Sequence, residues 1–263
     1  NLHYAYFLTN DYPNAEKHIL KAIKINSKNP HYFKNLGNLY RRQNKLVKAL
    51  KNYKLALNLD KKNVEIKKAI GLVLLTQKNY KDAWSYYESR IYARQHIDDL
   101  FNIIKNNLFK NKSILSKDKI AIISEQGIGD HILFASIYNE LIKLNNNIIF
   151  IIDQRLNEIF NRSFKNCKFI NKDNFKQIKL LTESGYSFLY AGSLGKYFRN
   201  NIKDFSGNSF LIANKDKKKY YESYLKKYNY KKYVGISWKS KSKYVGQKSL
   251  NLNDFQRLFK TTN

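Results

Sequence analysis

Up to Arg94, apolar positions return at the three- and four-residue spacing of helices, whereas beyond Ser116 they gather into short unbroken runs. Ile120-Ala121-Ile122-Ile123 predicts a buried strand and Gln126-Gly127-Ile128-Gly129-Asp130 a turn. Ile132 to Leu144 predicts an amphipathic helix, and Ile148 to Ile152 a second strand. A strand, helix and strand in this order form a βαβ unit with a right-handed crossover, so a doubly wound α/β domain is expected over residues 118–214. After a charged helix over Lys215 to Lys227, the run Tyr233-Val234-Gly235-Ile236-Ser237-Trp238 reads as the first strand of another sheet. A polar loop to Lys248 and a helix from Asn253 onward follow it.

The helical part repeats itself. Leu36-Gly37 returns as Ile70-Gly71 and Ala49 as Ala83, a period of 34 residues, which is that of tetratricopeptide repeats. Phe33, Leu36, Gly37, Tyr40, Ala49, Tyr53 and Ala56 fill the packing positions of the middle copy. Ala15 and Ala22 mark an earlier copy whose first helix is cut short by Asn1. In the third copy Arg90 stands where a small residue is expected, so the array is expected to end near Arg94. The resulting layout is repeats over 1–95, a linking helix within 96–117, an α/β domain over 118–214, and a linker helix with the start of a second such domain over 215–263. A chain that starts inside a repeat, contains no methionine and stops before its last sheet is complete is expected to be a piece of a longer protein.

Composition narrows the chemistry. The 263 residues are enough for two or three cores, and no apolar run approaches the roughly 18 residues of a membrane span. Residues 1–17 lack the features of a signal peptide, and the single cysteine, Cys167, excludes an intrachain disulfide, so the cytoplasm is the expected compartment. No Asp-x-Asp occurs and the five histidines are never paired at i, i+4, so no metal cofactor is expected. The net charge of +29 is spread over every segment, so nucleic acid is set aside as a partner. The basic, tyrosine-rich stretch from Lys215 to Lys232 makes anionic lipid at the inner face of the membrane the better minor candidate. The repeats themselves offer a concave face to a protein partner, or else serve only to dimerise or space the rest.

Gly127 and Gly129 suit a sharp strand-to-helix turn, with positive φ or close approach to a ligand. Asp130 has two readings there: an N-cap of the helix, or a general base at the carboxyl end of a strand, where α/β folds bind ligands. An NAD-dependent dehydrogenase is disfavoured, because the third glycine of its fingerprint is missing and only Asp153 supplies an acid at the second strand's end.

The stretch Ser124-Glu125-Gln126-Gly127-Ile128-Gly129-Asp130-His131-Ile132-Leu133-Phe134-Ala135, following a repeat array, resembles the transferase region of bacterial tetratricopeptide-repeat glycosyltransferases. These are similar to lipopolysaccharide heptosyltransferases and more distantly to O-GlcNAc transferase. Gly235-Ile236-Ser237-Trp238-Lys239-Ser240 with Gly246-Gln247-Lys248-Ser249-Leu250 resembles the start of their donor domain, and Gly192 to Arg199 is also similar to the group. The resemblance implies a truncated GT-B arrangement of two Rossmann-like domains. It implies transfer of a sugar from a nucleotide-sugar donor to a protein or glycan hydroxyl by metal-independent, inverting displacement. It makes Asp130 the candidate base with His131 second, gives Lys248 to the donor phosphate, and sets Gln126, Gly127 and Gly129 at the cleft; without metal ligands, Ser240 and Ser249 are expected to join Lys248 in holding the departing diphosphate. Lys196 and Arg199 have two readings, facing the interdomain cleft or lying at the surface, and the surface is preferred. The rival reading is a non-catalytic repeat scaffold with a degenerate transferase domain.

Overall fold

The computed structural model describes residues 6–93, 99–111, 113–115, 117–229, 233, 235–237 and 250–256. They fall into two compact units, Asn1–Ile212 and Ala213–Asn263.

The first unit opens with antiparallel helix pairs: α1 (Tyr12–Ile25), α2 (Pro30–Arg42), α3 (Leu46–Leu59), α4 (Val64–Thr76) and α5 (Tyr80–Tyr87), extended by the short α6 (Ser89–Tyr92). Asn29 and Asn63 cap α2 and α4 by accepting bonds from backbone N–H groups of the first turn. Ala15, Ala49 and Ala83 are wholly buried at equivalent positions. Glycine is required at the helix crossings: a Cβ on Gly37 would lie 2.6 Å from the Tyr53 ring, and one on Gly71 2.6 Å from the Tyr87 nitrogen. The period also governs the turns. Asn10, Asn44 and Lys78 adopt positive φ (62°, 57° and 61°) at 34-residue intervals. After each, a backbone N–H reaches back to the preceding helix, as in Lys45 to Tyr40 and Asn79 to Leu74.

The sheet follows: β1 (Ile120–Ile123), β2 (Ile148–Ile152), β3 (Lys168–Asn171) and β4 (Ser187–Tyr190), all parallel in the order β3-β2-β1-β4. Its central strands β1 and β2 are apolar throughout because both of their faces are covered. Ile120, Ile122, Phe150 and Leu189 point to one side, against Tyr138 and Leu141 of α9 (Tyr138–Leu144) and Phe160 of α10 (Asn157–Ser163). Ala121, Ile123, Ile149, Ile151 and Phe188 point to the other, against Ile178 and Leu181 of α11 (Phe175–Glu183) and Leu100 and Ile104 of α7 (Asp99–Ile104).

Three sequence expectations change. The single helix expected over Ile132 to Leu144 is two: α8 (Ile128–Ala135) ends at Ser136, and α9 starts at Tyr138. The break turns Tyr138 wholly into the core, where its ring lies 4.3 Å from that of Phe150. The segment expected to link the domains instead belongs to the sheet's core. α7 covers one face, and the Phe109 N–H donates to the Phe188 carbonyl at the edge of β4. Arg199, expected at the surface, is 4% exposed: it is ion-paired with Glu140 and its guanidinium lies 5.6 Å from the Phe205 ring centre. Lys196 is exposed.

In the second unit, α12 (Lys215–Lys226) is capped by the Asn214 side chain and buries none of its residues. Tyr220, Tyr224 and Tyr228 form a ladder of neighbouring rings along it. Of the strand expected over Tyr233 to Trp238, Tyr233 and Gly235, Ile236 and Ser237 are described, and they are not in a strand. The helix expected from Asn253 is represented by a 3-10 turn, Leu252–Phe255. Among the described residues, no helix is long and apolar enough to cross a membrane.

Candidate functional site

The repeat array and the sheet meet at the carboxyl ends of the strands. Arg90, where the repeat pattern breaks, is 6% exposed at this junction. Its Nε and Nη2 donate to the Glu125 carboxylate just beyond β1 at 2.9 and 2.6 Å, and its Nη1 donates to Glu88 at 2.8 Å. The two remaining N–H groups go to the Tyr87 carbonyl and to Ser193 Oγ. Burial opposes the guanidinium's charge, but the two carboxylates outweigh it and hold Arg90 cationic. The Gly192 N–H donates to Glu125 at 2.8 Å, and a Cβ on Gly192 would lie 2.6 Å from the same carboxylate oxygen. Beside this cluster Trp84 of α5 lies against Gly195, leaving no room for a Cβ there, and its indole N–H donates to the Arg199 carbonyl at 2.8 Å. The stretch Gly192 to Arg199 is thus the docking surface for the repeats.

Next to the junction lies an open cavity of about 430 Å³. One wall comes from the repeats through Lys68 and Leu72 of α4 and Tyr87 of α5. The opposite wall comes from Ser124, Glu125 and Gln126 after β1, Lys172 and Asp173 after β3, Tyr190 of β4 and His131 of α8. β1 and β4 are neighbours while β1 connects onward to β2, so their carboxyl ends form the switch point at which open α/β sheets hold ligands.

His131 is 1% exposed, and its Nδ1 has no hydrogen-bond partner; neither has the buried Oγ of Ser124. Burial, reinforced by Lys172, lowers the imidazole's pKa, which keeps it neutral. Burial raises the pKa of the Tyr87 phenol, whose oxygen accepts a 2.9 Å bond from Gln126 Nε2.

The turn is built differently from the glycine-based expectation. Its left-handed residue is Gln126 (φ 62°), and neither Gly127 nor Gly129 has positive φ. A Cβ on Gly129 would meet nothing within 4 Å, so the start of α8 is open there. Asp130 is not the N-cap: Gly127 holds that place, and Asp130 stands at the third helical position. From there its Oδ2 accepts a 3.1 Å bond from the Gly127 N–H. Asp130 stands beside the cavity rather than in its lining, whereas the next residue, His131, lines it. Asp153 is engaged by Arg155, through its backbone N–H, Nε and Nη2, and by Lys172 Nζ. Those bonds, Arg155 first, hold its pKa far below the usual carboxylate range. A carboxylate so occupied is a poor partner for a ribose hydroxyl, which weighs further against the dehydrogenase reading.

Ser240, Lys248 and Ser249 lie outside the described residues. The contributions of Ser124, Tyr87 and Lys172 were not legible in the sequence; the one available signal was the misfit of Arg90 in its repeat. Among the described residues, no group of three or more His, Cys, Asp and Glu side chains is placed to hold a metal ion.

Residues 37–78 match the family described as TPR repeat, and the chain carries tetratricopeptide repeats. Similar solved structures include the TPR2B-domain:pHsp70 complex of yeast Sti1, at 18% identity and a TM-score of 0.34, covering 36% of this chain and 76% of that one. The Sgt2 TPR domain from Aspergillus fumigatus is 27% identical with a TM-score of 0.33, over 35% of this chain and 61% of that one. The TPR2AB-domain:pHSP90 complex of yeast Sti1 is 18% identical with a TM-score of 0.33, over 36% and 37% respectively. No curated protein matches the chain.

Proposed function

We propose that this chain is part of a glycosyltransferase of the two-Rossmann-domain type, which moves a sugar from a nucleotide-sugar donor to a hydroxyl acceptor in the cytoplasm. The observation that carries this reading is the cavity at the switch point of a parallel β3-β2-β1-β4 sheet, with the Gly127-Ile128-Gly129-Asp130 turn at its edge. Direct displacement at a sugar carbon needs a base for the incoming hydroxyl's proton and fixed donors for the departing diphosphate. Asp130 is the proposed base. Ser240, Lys248 and Ser249 are the proposed donor contacts, with no metal required.

Asp130→Asn in the full-length protein tests the base. An asparagine oxygen still accepts from the Gly127 N–H, so helix content and melting temperature are expected to hold while transfer falls at least about a hundredfold. Undiminished turnover would remove Asp130 from the role. A second reading is favoured by the match over residues 37–78: the repeats hold a protein partner, and the α/β domain is a non-catalytic platform. Transfer by the full-length protein separates the two readings.

A further inference from the structure

The cationic groups around the cavity are already engaged. All five N–H donors of Arg90 are committed to Glu125, Glu88, the Tyr87 carbonyl and Ser193. Lys172 is bound to Asp153 at 3.1 Å, and Lys68 pairs with Glu65. At the start of α8 the Asp130 carboxylate takes the Gly127 N–H and sets a negative charge beside the first turn, which disfavours an anion there. A phosphate entering here would find no free donor on Arg90 and would share both lysines with carboxylates they already bind.

The uncommitted groups are of another kind. Ser124 Oγ and His131 Nδ1 are buried without partners, a cost that the fold carries until something bonds to them. A neutral imidazole presents one donor and one acceptor, and a serine hydroxyl both gives and takes. Beside them Tyr87, Tyr190 and Phe175 bring aromatic side chains to the lining, the Tyr87 ring with the Arg90 guanidinium 4.3 Å over one face. Alternating hydroxyls and C–H faces on one small rigid body answer both features. The volume of about 430 Å³ lies in the range of roughly 300–1,000 Å³ typical of small-molecule sites.

We propose that the cavity between α4, α5 and the carboxyl ends of the strands binds an uncharged saccharide ring, with Ser124 and His131 as hydroxyl partners and Tyr87, presented by the repeats, as an aromatic wall. The assignment rests on the transferase reading for the fate of that ring, which is the acceptor. The repeat array thereby forms part of the binding site itself, not only a recruiting surface outside it.

Saturation-transfer NMR on the whole chain provides the test, with methyl glycosides of neutral hexoses and N-acetylhexosamines as probes, and inorganic phosphate and a nucleoside diphosphate for comparison. At least one glycoside is expected to bind, and His131→Phe to weaken it tenfold or more. Gln126→Gly supplies a second variant that preserves folding, because the position already has a φ of 62° and its side chain is exposed. It frees the Tyr87 hydroxyl from its partner and is expected to weaken the same glycoside severalfold. No binding by any glycoside, binding indifferent to both variants, or phosphate as the only variant-sensitive ligand would each overturn the proposal. Glycoside binding by a full-length protein that transfers no sugar would sink the transferase reading and leave the cavity assignment standing. Transfer that is indifferent to both variants would do the reverse.

Discussion

The interior of the repeat array and its junction with the sheet solve the same problem, joining helices to a neighbour, by opposite means. Inside the array, contact is made by small residues meeting rings: Gly37 under Tyr53, with Ala49 and Ala56 wholly buried. At the junction Trp84 against Gly195 repeats that contact, and the opposite means is added beside it: one guanidinium grips two carboxylates, with Gly192 leaving room for the grip. The first solution can be copied every 34 residues because it depends on shape alone. The second can be used only once, because each partner is specific and a buried charge left alone is costly. Repetition thus gives the array its regularity, and departure from it fixes where the array stops.

The largest test of this contrast is Arg90→Ala. It strands Glu125 and Glu88 at the junction and is expected to cost about 3–5 kcal/mol in denaturant unfolding. A loss below about 1 kcal/mol would mean that the cluster is no more than a surface ion pair.

A smaller effect is expected from pH. The native imidazole of His131 resists protonation, chiefly through burial and then through Lys172, with Asp153, Asp130 and Glu125 acting in the opposite sense. Below the ordinary histidine range, near about 6.5, the unfolded chain takes up a proton that the native chain refuses. Stability is therefore full above that range and declines as the pH falls through it. His131→Gln should flatten that part of the stability profile relative to the parent protein, and superimposable slopes would count against a buried neutral imidazole.

The smallest expected change is a gain. Lys78 occupies the left-handed turn position that asparagine holds in the two preceding copies, and a side chain with a Cβ is strained there. Lys78→Gly should raise stability by up to about 1 kcal/mol. A loss would show that the lysine makes a compensating contact.

These regions also differ in how readily the sequence reveals them. The packing glycines and alanines announced themselves by period, and β1 and β2 by their isoleucine runs. The strand β3 was hard to read because Lys168 begins it, Asn171 ends it and Ile170 is its one buried residue. The break between α8 and α9 was hidden because Ser136 and Ile137 fit a continuous helical pattern while Tyr138 turns to the core. Arg90 showed as a misfit, yet its partners lie at Glu125 and Ser193, and separations of 35 and 103 residues leave no trace in local spacing. The same distance effect hid the cavity. Its walls are drawn from two repeat helices and three strand ends, and sequence order singled out Asp130 where the fold lines the space with its neighbour.

The helix α4 has a further consequence. Ile66, Ile70 and Val73 on one flank are locked into the stacked helices, while Lys68 and Leu72 on the other border the open space above the strands. A rod shared in this way cannot tilt for one side alone. The width of that space is therefore tied to the stacking of the repeats, and anything that tightens or relaxes the array at its third copy alters the room available to a guest. By reciprocity, the guest presses back on the array with equal thermodynamic weight.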